Sequence, residues 1–128
     1  RVHAMSEVTG FSLIGHAREM ANLGGANLII SFSSLGWIDG ARDYAELDIF
    51  PGGMGRNRRY FEAWVDYEAP LAEPEKKLLF DPQTSGGLLI AVQPDDAQAL
   101  LDDLLHAGEV AAIIGEVKAG GGRLVISP

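Results

Sequence analysis

The spacing of apolar residues near the start of the chain predicts an amphipathic helix over residues 11–23. Apolar side chains recur there three or four positions apart, at Leu13, Ile14, Ala17, Met20 and Ala21. This spacing places them on one face of a helix. Thr9 or Gly10 can cap the start of this helix, and the pair Gly24-Gly25 can end it.

Shorter apolar runs and helix signals divide the remainder of the chain. Positions 53–72 show no clear period and are predicted to be irregular or partly helical, with Trp64 and Val65 buried. The near-continuous apolar run at 86–92 is typical of a strand covered on both faces. The other predicted elements are a strand at 27–32, helices at 40–48, 73–79 and 94–106, and two strands at 111–117 and 123–128 joined as a hairpin.

The helix predicted at 94–106 carries the clearest signals. Pro94 suits a first helical turn, Asp95 and Asp96 suit the positive N-terminal end, and His106 suits the negative C-terminal end. Its apolar stripe consists of Ala97, Leu100, Leu101, Leu104 and Leu105. Helices and strands mixed in this order predict an α+β layered domain, with a mixed sheet flanked by helices. The 128 residues suit a single domain, 1–128.

The charge balance argues against two classes of partner. The net charge is −8, which repels nucleic acid and anionic membrane surfaces. No apolar run approaches the roughly 20 residues that a membrane-spanning helix needs. The chain has no cysteine, which excludes disulfides and thiolate sites and fits a reducing cytoplasm. The basic cluster Arg56, Arg58 and Arg59 is either a solvated loop or an anion contact.

Three short segments combine glycine with polar side chains, at 7–12, 51–57 and 81–87. Glycines beside Thr or Ser leave backbone N–H groups able to approach phosphate oxygens. Each segment alone is better explained as a turn than as a site, and none matches a nucleotide-binding fingerprint. Asp81 is expected to cap its own backbone in a turn with Pro82.

The remaining polar residues reveal no catalytic centre. His3, His16 and His106 each lack a second histidine or a cysteine at metal spacing, so a zinc site is not expected. No Ser-His-acid arrangement can be argued, and no catalytic residue is assigned. Glu7 stands just before a Thr-Gly pair that opens a helix. It is either a favourable partner for the helix dipole or the ligand of a cation that accompanies a phosphate.

Three strings together resemble one enzyme family. "VTGFSLIGHAREMA", "FPGGMGRNRRY" and "LLFDPQTSGGLLIAV" are similar to the C-terminal domain of selenophosphate synthetase (selenide, water dikinase). This domain belongs to the superfamily that includes aminoimidazole ribonucleotide synthetase. The resemblance runs from about His3 to the final strand. It implies the fold of that superfamily's C-terminal domain.

The resemblance implies an activity that needs more than this chain. Such enzymes convert selenide, ATP and water into selenophosphate, AMP and phosphate with Mg²⁺, and we expect the parent protein to be a cytoplasmic homodimer. Their ATP-binding half and reactive cysteine or selenocysteine lie in an N-terminal domain, which we expect to be this domain's partner. The chain begins at Arg1 without an initiator methionine, so we interpret it as one piece of a longer protein that is inactive alone.

The family motif writes the first string as "DVTGFG", and this implies a role for Glu7 as metal ligand. Here Glu7 replaces the aspartate and Ser12 replaces a glycine. The added methylene of Glu7 moves its carboxylate by roughly 1.5 Å. The residues expected near the nucleotide phosphates are Thr9, Gly10, Arg56, Asn57, Thr84, Ser85, Gly86 and Gly87.

Two alternatives to this function remain open. The chain could be a non-catalytic interaction or dimerisation domain whose site loops have decayed. It could also be part of another phosphoryl-transfer enzyme of the same superfamily.

Overall fold

The computed structural model describes residues 2–128, and within them six strands, five α-helices and two 3₁₀ turns are formed. The strands are β1 (Val2–Glu7), β2 (Ala26–Ser31), β3 (Val65–Tyr67), β4 (Leu88–Val92), β5 (Gly115–Ala119) and β6 (Leu124–Ser127). The α-helices are α1 (Ser12–Gly24), α2 (Ala41–Glu46), α3 (Gly52–Phe61), α4 (Glu73–Leu78) and α5 (Pro94–His106). The 3₁₀ turns are Phe32–Ser34 and Glu62–Trp64. The predicted α+β fold is confirmed.

The strands form two separate sheets. The larger sheet has the order β3-β6-β2-β5, with β6 parallel to both of its neighbours and β5 antiparallel to β2. It is therefore the mixed sheet that the sequence predicted. The smaller sheet is an antiparallel pair of β1 and β4, in which Glu7 lies opposite Leu88.

The core lies between α1 and the larger sheet. Ile14, Ala17 and Ala21, the predicted apolar face of α1, are each at most 1 % exposed. They belong to one apolar cluster with Leu124 and Ile126 of β6. Burying each large aliphatic side chain stabilises the fold by roughly 1.5–3 kcal/mol. The spacing of apolar residues therefore predicted which side of α1 faces the sheet.

The end of α4 also enters this core. Leu79 and Phe80 are 1 % and 0 % exposed, and the backbone N–H of Ile14 donates to the carbonyl of Leu79 at 3.4 Å. Because the segment 81–87 follows immediately, its first residue is anchored to the core and to α1. The helix predicted at 73–79 is confirmed, and it positions this segment.

The start of α1 differs from the prediction, whereas its end agrees. The residue before the first turn is Phe11, whose side chain makes no capping hydrogen bond, so the expectation of a cap at Thr9 or Gly10 is wrong. The Thr9 hydroxyl instead lies 3.0 Å from Nε2 of His16. The helix ends at Gly25, whose left-handed φ of 59° is the conformation that glycine accommodates best.

The last two strands do not form the predicted hairpin. β2 lies between them, antiparallel to β5 and parallel to β6. The parallel pairing with β2 places Leu124 and Ile126 in the core, with 0 % exposure, while β5 is an exposed edge strand. The stretch 111–114, predicted as strand, has no regular structure. Burial of β6 between two strands outweighs the local turn signal.

The region 53–72 is more regular than predicted. Its first part belongs to helix α3, and Val65–Tyr67 forms strand β3. Three glycines at 52–55 lower the intrinsic helix propensity, which explains why the pattern indicated a loop at 51–57. Val65 is buried as expected, but Trp64 is only partly buried.

The smaller sheet, formed by β1 and β4, and helix α5 bury little. β1 was not predicted, and no residue of β4 or α5 is buried, so the expected coverage of β4 on both faces is wrong. The helix at 94–106 is confirmed, but its apolar stripe is at most partly covered. The accessible surface is 7728 Å², against roughly 6,600 Å² for a typical monomer of this mass.

None of the helices described between residues 2 and 128 has the length and apolar character to cross a bilayer.

Candidate functional site

Backbone hydrogen bonds bring the first and third glycine segments together. The N–H of Val8 donates to the carbonyl of Gly87 at 2.9 Å, and the N–H of Gly86 donates to the carbonyl of Val8 at 3.1 Å. The N–H of Gln83 donates to the carbonyl of Thr9 at 3.1 Å. Segments 7–12 and 81–87 therefore form one surface, although they are separated by about 70 residues of sequence.

This close approach requires a glycine at position 86. A Cβ atom on Gly86 would lie 2.6 Å from the Val8 carbonyl oxygen and 2.9 Å from a Val8 methyl group. Gly87 follows with φ 80°, a left-handed conformation that costs side-chain-bearing residues free energy. The glycine pair therefore sets the distance between the two segments.

Asn57 joins the second segment to the first segment and to Phe80, the residue just before the third. Its side chain is 7 % exposed, and its amide Nδ2 donates to the carbonyl of Gly10 at 2.9 Å and to the carbonyl of Phe80 at 3.1 Å. Both amide hydrogens are thus used inside the protein. Asn57 holds the three segments in one place, and its amide group is not presented to solvent.

The three clustered arginines have different environments. Arg58 is held by Glu62 at 2.9 Å and Glu73 at 2.7 Å, and these carboxylates raise the pKa of Arg58. Arg56 is exposed, and its guanidinium folds over the first turn of α3, with Nη1 3.7 Å from the Cβ position of Gly52. No side chain caps that turn. Arg56 therefore adds positive charge beside free helix N–H groups, and Arg59 is exposed next to it.

Glu7 ends β1 at the margin of this surface. Its side chain is exposed, and it makes no ion pair or side-chain hydrogen bond with the described residues 2–128. Thr84 and Ser85 are also exposed, on the neighbouring segment. No group of three His, Asp or Glu side chains within 2–128 could hold a metal ion. An isolated carboxylate such as that of Glu7 suits Mg²⁺ only when phosphates and water supply most of the other ligands.

Ser12 is strained at the start of α1. It has φ 71° and is 0 % exposed, a left-handed conformation that costs an L-residue about 1–2 kcal/mol. Its hydroxyl accepts a long hydrogen bond of 3.4 Å from the N–H of Gly15. This is the position at which the family motif has glycine, so the substitution falls where the backbone most favours glycine.

We expect the Ser12→Gly variant to be about 1 kcal/mol more stable than the Ser12→Ala variant, because only glycine relieves the positive φ. Thermal unfolding of the two variants measures the difference. The matched control is Ala99→Gly in exposed α5, where glycine should be about 1 kcal/mol less stable than alanine. Equal stability of the two Ser12 variants would show that the left-handed conformation carries no strain.

Asp81 lies at the start of the third segment, partly buried beside Gln83. Burial raises the pKa of Asp81, and the hydrogen bond from the Gln83 amide opposes this increase. That bond joins Nε2 of Gln83 to Oδ2 of Asp81 at 2.7 Å. The carboxylate thus accepts from a side chain, and not from its own backbone as the sequence suggested.

We expect Asp81→Asn to stabilise the fold at neutral pH. A carboxyl group whose folded pKa is raised favours folding below its unfolded pKa near 3.9 and loses this contribution as the pH rises through the folded value. The variant should therefore have the higher Tm at pH 7, and the difference should shrink towards pH 3. A Tm difference that stays constant between these pH values would contradict the assigned cause.

The contact between Thr9 and His16 was not predicted from the sequence. The two residues are seven positions apart, and His16 lies on α1 only one turn after its start. His16 lies between Ile14 and Ala17 of the predicted apolar face, but the apolar pattern gave no sign that the chain before the helix folds back over it. His16 thus lies next to the first glycine segment only because of the tertiary fold.

Comparison with known proteins shows which family this chain resembles. Residues 1–127 match the family model described as "AIR synthase related protein, C-terminal domain". The chain is 41 % identical over 117 residues, 91 % of its length, to "Selenide, water dikinase" of Pelobacter propionicus. It is 38 % identical over 126 residues, 98 % of its length, to the protein of the same name in Carboxydothermus hydrogenoformans.

A third relative, "Selenide, water dikinase" of Caldanaerobacter subterraneus, is 42 % identical over 120 residues. These alignments cover 34 %, 36 % and 34 % of the three relatives. The chain therefore spans about a third of the length of the curated relatives that it matches.

Proposed function

The chain belongs to the family of AIR synthase related proteins and corresponds to their C-terminal domain. From this premise we propose that it is the C-terminal domain of a selenide, water dikinase. In this proposal the parent protein makes selenophosphate from selenide and ATP. The domain contributes an acidic metal ligand and loops that lie near the phosphates. The observation that carries the proposal is the convergence of three glycine segments beside the exposed carboxylate of Glu7.

Each residue has a defined role in the proposed site. Glu7 would hold Mg²⁺, which neutralises phosphate charge when bound. Gly10, Gly86 and Gly87 would allow the backbone to approach the phosphates, and Arg56 would add positive charge. The hydroxyls of Thr9, Thr84 and Ser85 would complete the polar lining. Asn57 would act indirectly, by holding the segments together.

The proposed parent protein supplies what this chain lacks. The 128 residues contain no cysteine, so a reactive thiol or selenol would come from an N-terminal ATP-binding domain of the same protein. The accessible surface above that of a typical monomer supports a docking surface for such a domain. We further propose a cytoplasmic homodimer as the intact form.

A non-catalytic interaction domain is the second candidate. It is favoured by the lack of buried residues in α5, whose apolar stripe is at most partly covered. Four aspartates at 95, 96, 102 and 103 accompany this stripe. An amphipathic face of this kind suits association with another protein surface. Part of another phosphoryl-transfer enzyme of the superfamily remains the third candidate.

An assay of the full-length protein separates these candidates. With ATP, Mg²⁺ and selenide, ³¹P NMR should show selenophosphate, and chromatography should show AMP. The 128-residue chain alone should produce neither. Phosphorylation of a different acceptor would favour another superfamily enzyme, and absence of ATP turnover in the full-length protein would favour the interaction domain.

A further inference from the structure

His16 and Thr9 form a hydroxyl–imidazole pair at the edge of the converging segments. Nε2 of His16 lies 3.0 Å from Oγ1 of Thr9, and the imidazole side chain is only 12 % exposed. The Phe11 ring lies 6.0 Å from the imidazole, centroid to centroid. The histidine is therefore held by its surroundings, and the contact fixes the direction of the threonine hydroxyl.

The backbone of Thr9 is fixed independently of this pair. Its carbonyl accepts from the N–H of Ser12 at 3.0 Å and from the N–H of Gln83 at 3.1 Å. Thr9 is thus the residue at which the first segment joins both α1 and the third segment. Only its side chain remains free to rotate, and threonine has more than one accessible χ1 rotamer. His16 selects one of them.

A carboxylate lies on the far side of the imidazole. Nδ1 of His16 is 4.0 Å from a carboxylate oxygen of Glu19, and a nearby anion favours a hydrogen on Nδ1. In that tautomer Nε2 is the acceptor, and the Thr9 hydroxyl donates its only hydrogen to it. Oγ1 of Thr9 then has only lone pairs left for other partners. It can accept a hydrogen bond from them but cannot donate one.

We propose that His16 is a positioning residue that turns Thr9 into an acceptor for hydrated cations rather than a donor for phosphate. Thr9 stands two residues after Glu7, the proposed Mg²⁺ ligand. A water bound to Mg²⁺ is a strong hydrogen-bond donor, whereas a phosphate oxygen is an acceptor. Thr9 would therefore assist metal binding through water. This inference rests on the proposed function, and it revises the role of Thr9 within it.

The kinetic test uses Thr9→Val, His16→Ala, His16→Gln and the Thr9→Val/His16→Ala double variant of the full-length protein. Thr9→Val and His16→Ala should each raise the Mg²⁺ concentration that gives the half-maximal rate about tenfold. The KM for ATP at saturating Mg²⁺ should stay within a factor of two. The double variant should be no worse than either single one, since the residues act as a unit.

His16→Gln separates positioning from simple structural support. The glutamine amide oxygen can accept the Thr9 hydrogen bond near the former Nε2 position, so this variant should recover most of the Mg²⁺ response. A change in the ATP KM instead of the Mg²⁺ response would assign Thr9 to phosphate and overturn the proposal. Additive effects in the double variant would overturn it as well.

A spectroscopic measurement tests the pair without any activity. In the 128-residue chain, long-range ¹H–¹⁵N spectra of the imidazole should show His16 as the Nδ1–H tautomer, and Thr9→Val should shift its Nε2 resonance. His106, exposed at the end of α5, is the internal control and should not shift. An Nε2–H tautomer contradicts the proposal even if the enzyme makes selenophosphate. An inactive full-length protein with the expected tautomer contradicts only the proposed function.

Discussion

Replacing Asn57 with alanine is expected to lower the free energy of unfolding by about 2–4 kcal/mol. The change removes two hydrogen bonds, to the carbonyls of Gly10 and Phe80, and leaves the Phe80 carbonyl without this donor in a buried place and the Gly10 carbonyl without it in a partly buried one. Each unsatisfied buried group costs roughly 1–3 kcal/mol. Chemical denaturation of the 128-residue chain, monitored by tryptophan fluorescence, measures the loss.

The matched control is Gln98→Ala. Gln98 is also an amide on a helix, and its Nε2 donates to Asp102 at 2.8 Å, but this bond is exposed. We expect a change within about 0.5 kcal/mol, as for most surface substitutions. If Asn57→Ala were as mild as this control, Asn57 would not hold the three segments together, and their arrangement would depend on backbone hydrogen bonds alone.

Removing the carboxylate of Glu7 is expected to produce the largest loss of activity. In the full-length protein, Glu7→Ala and the isosteric Glu7→Gln should both lower kcat at least about 100-fold, because a magnesium site built on one carboxylate from this domain loses its charged ligand. Glu7→Asp should keep substantial activity, since it restores the residue of the family motif. Production of AMP at saturating ATP, followed as a function of Mg²⁺, measures the effect.

Two features make the Glu7 experiment decisive. Glu7 is exposed and makes no ion pair with residues 2–128, so its removal should leave the Tm of the 128-residue chain unchanged. Glu109→Gln provides a second exposed acid, in the turn after α5, and should retain full activity. Normal Mg²⁺-dependent activity in Glu7→Ala would remove the metal-ligand role and leave Glu7 as a partner of the helix dipole.

Four of the five α-helices, all but α3, were predicted from local patterns, and the reason is physical. The apolar face of α1 follows from the 3.6-residue period. The start of α5 follows from a proline that suits the first turn and from aspartates that the helix dipole favours, and its end follows from a histidine that the dipole favours there. Both signals are contained within about 13 consecutive residues. The glycines at 81–87 likewise marked their segment from the sequence alone, because glycine indicates a backbone that must come close to another group.

Strand pairing and the assembly of the site depended on tertiary structure. The insertion of β2 between β5 and β6 replaces a hairpin that the local sequence favoured, because only this order buries Leu124 and Ile126. Asn57 was expected near the phosphates, and only the structure shows that its side-chain amide donates to the carbonyls of Gly10 and Phe80. The sequence determined α1, α2, α4 and α5, the core-facing side of α1 and the family of the motifs. Contacts between residues far apart in the chain decided which strands pair and which polar atoms form hydrogen bonds inside the protein. Local sequence patterns carry no information about the free energies of these contacts.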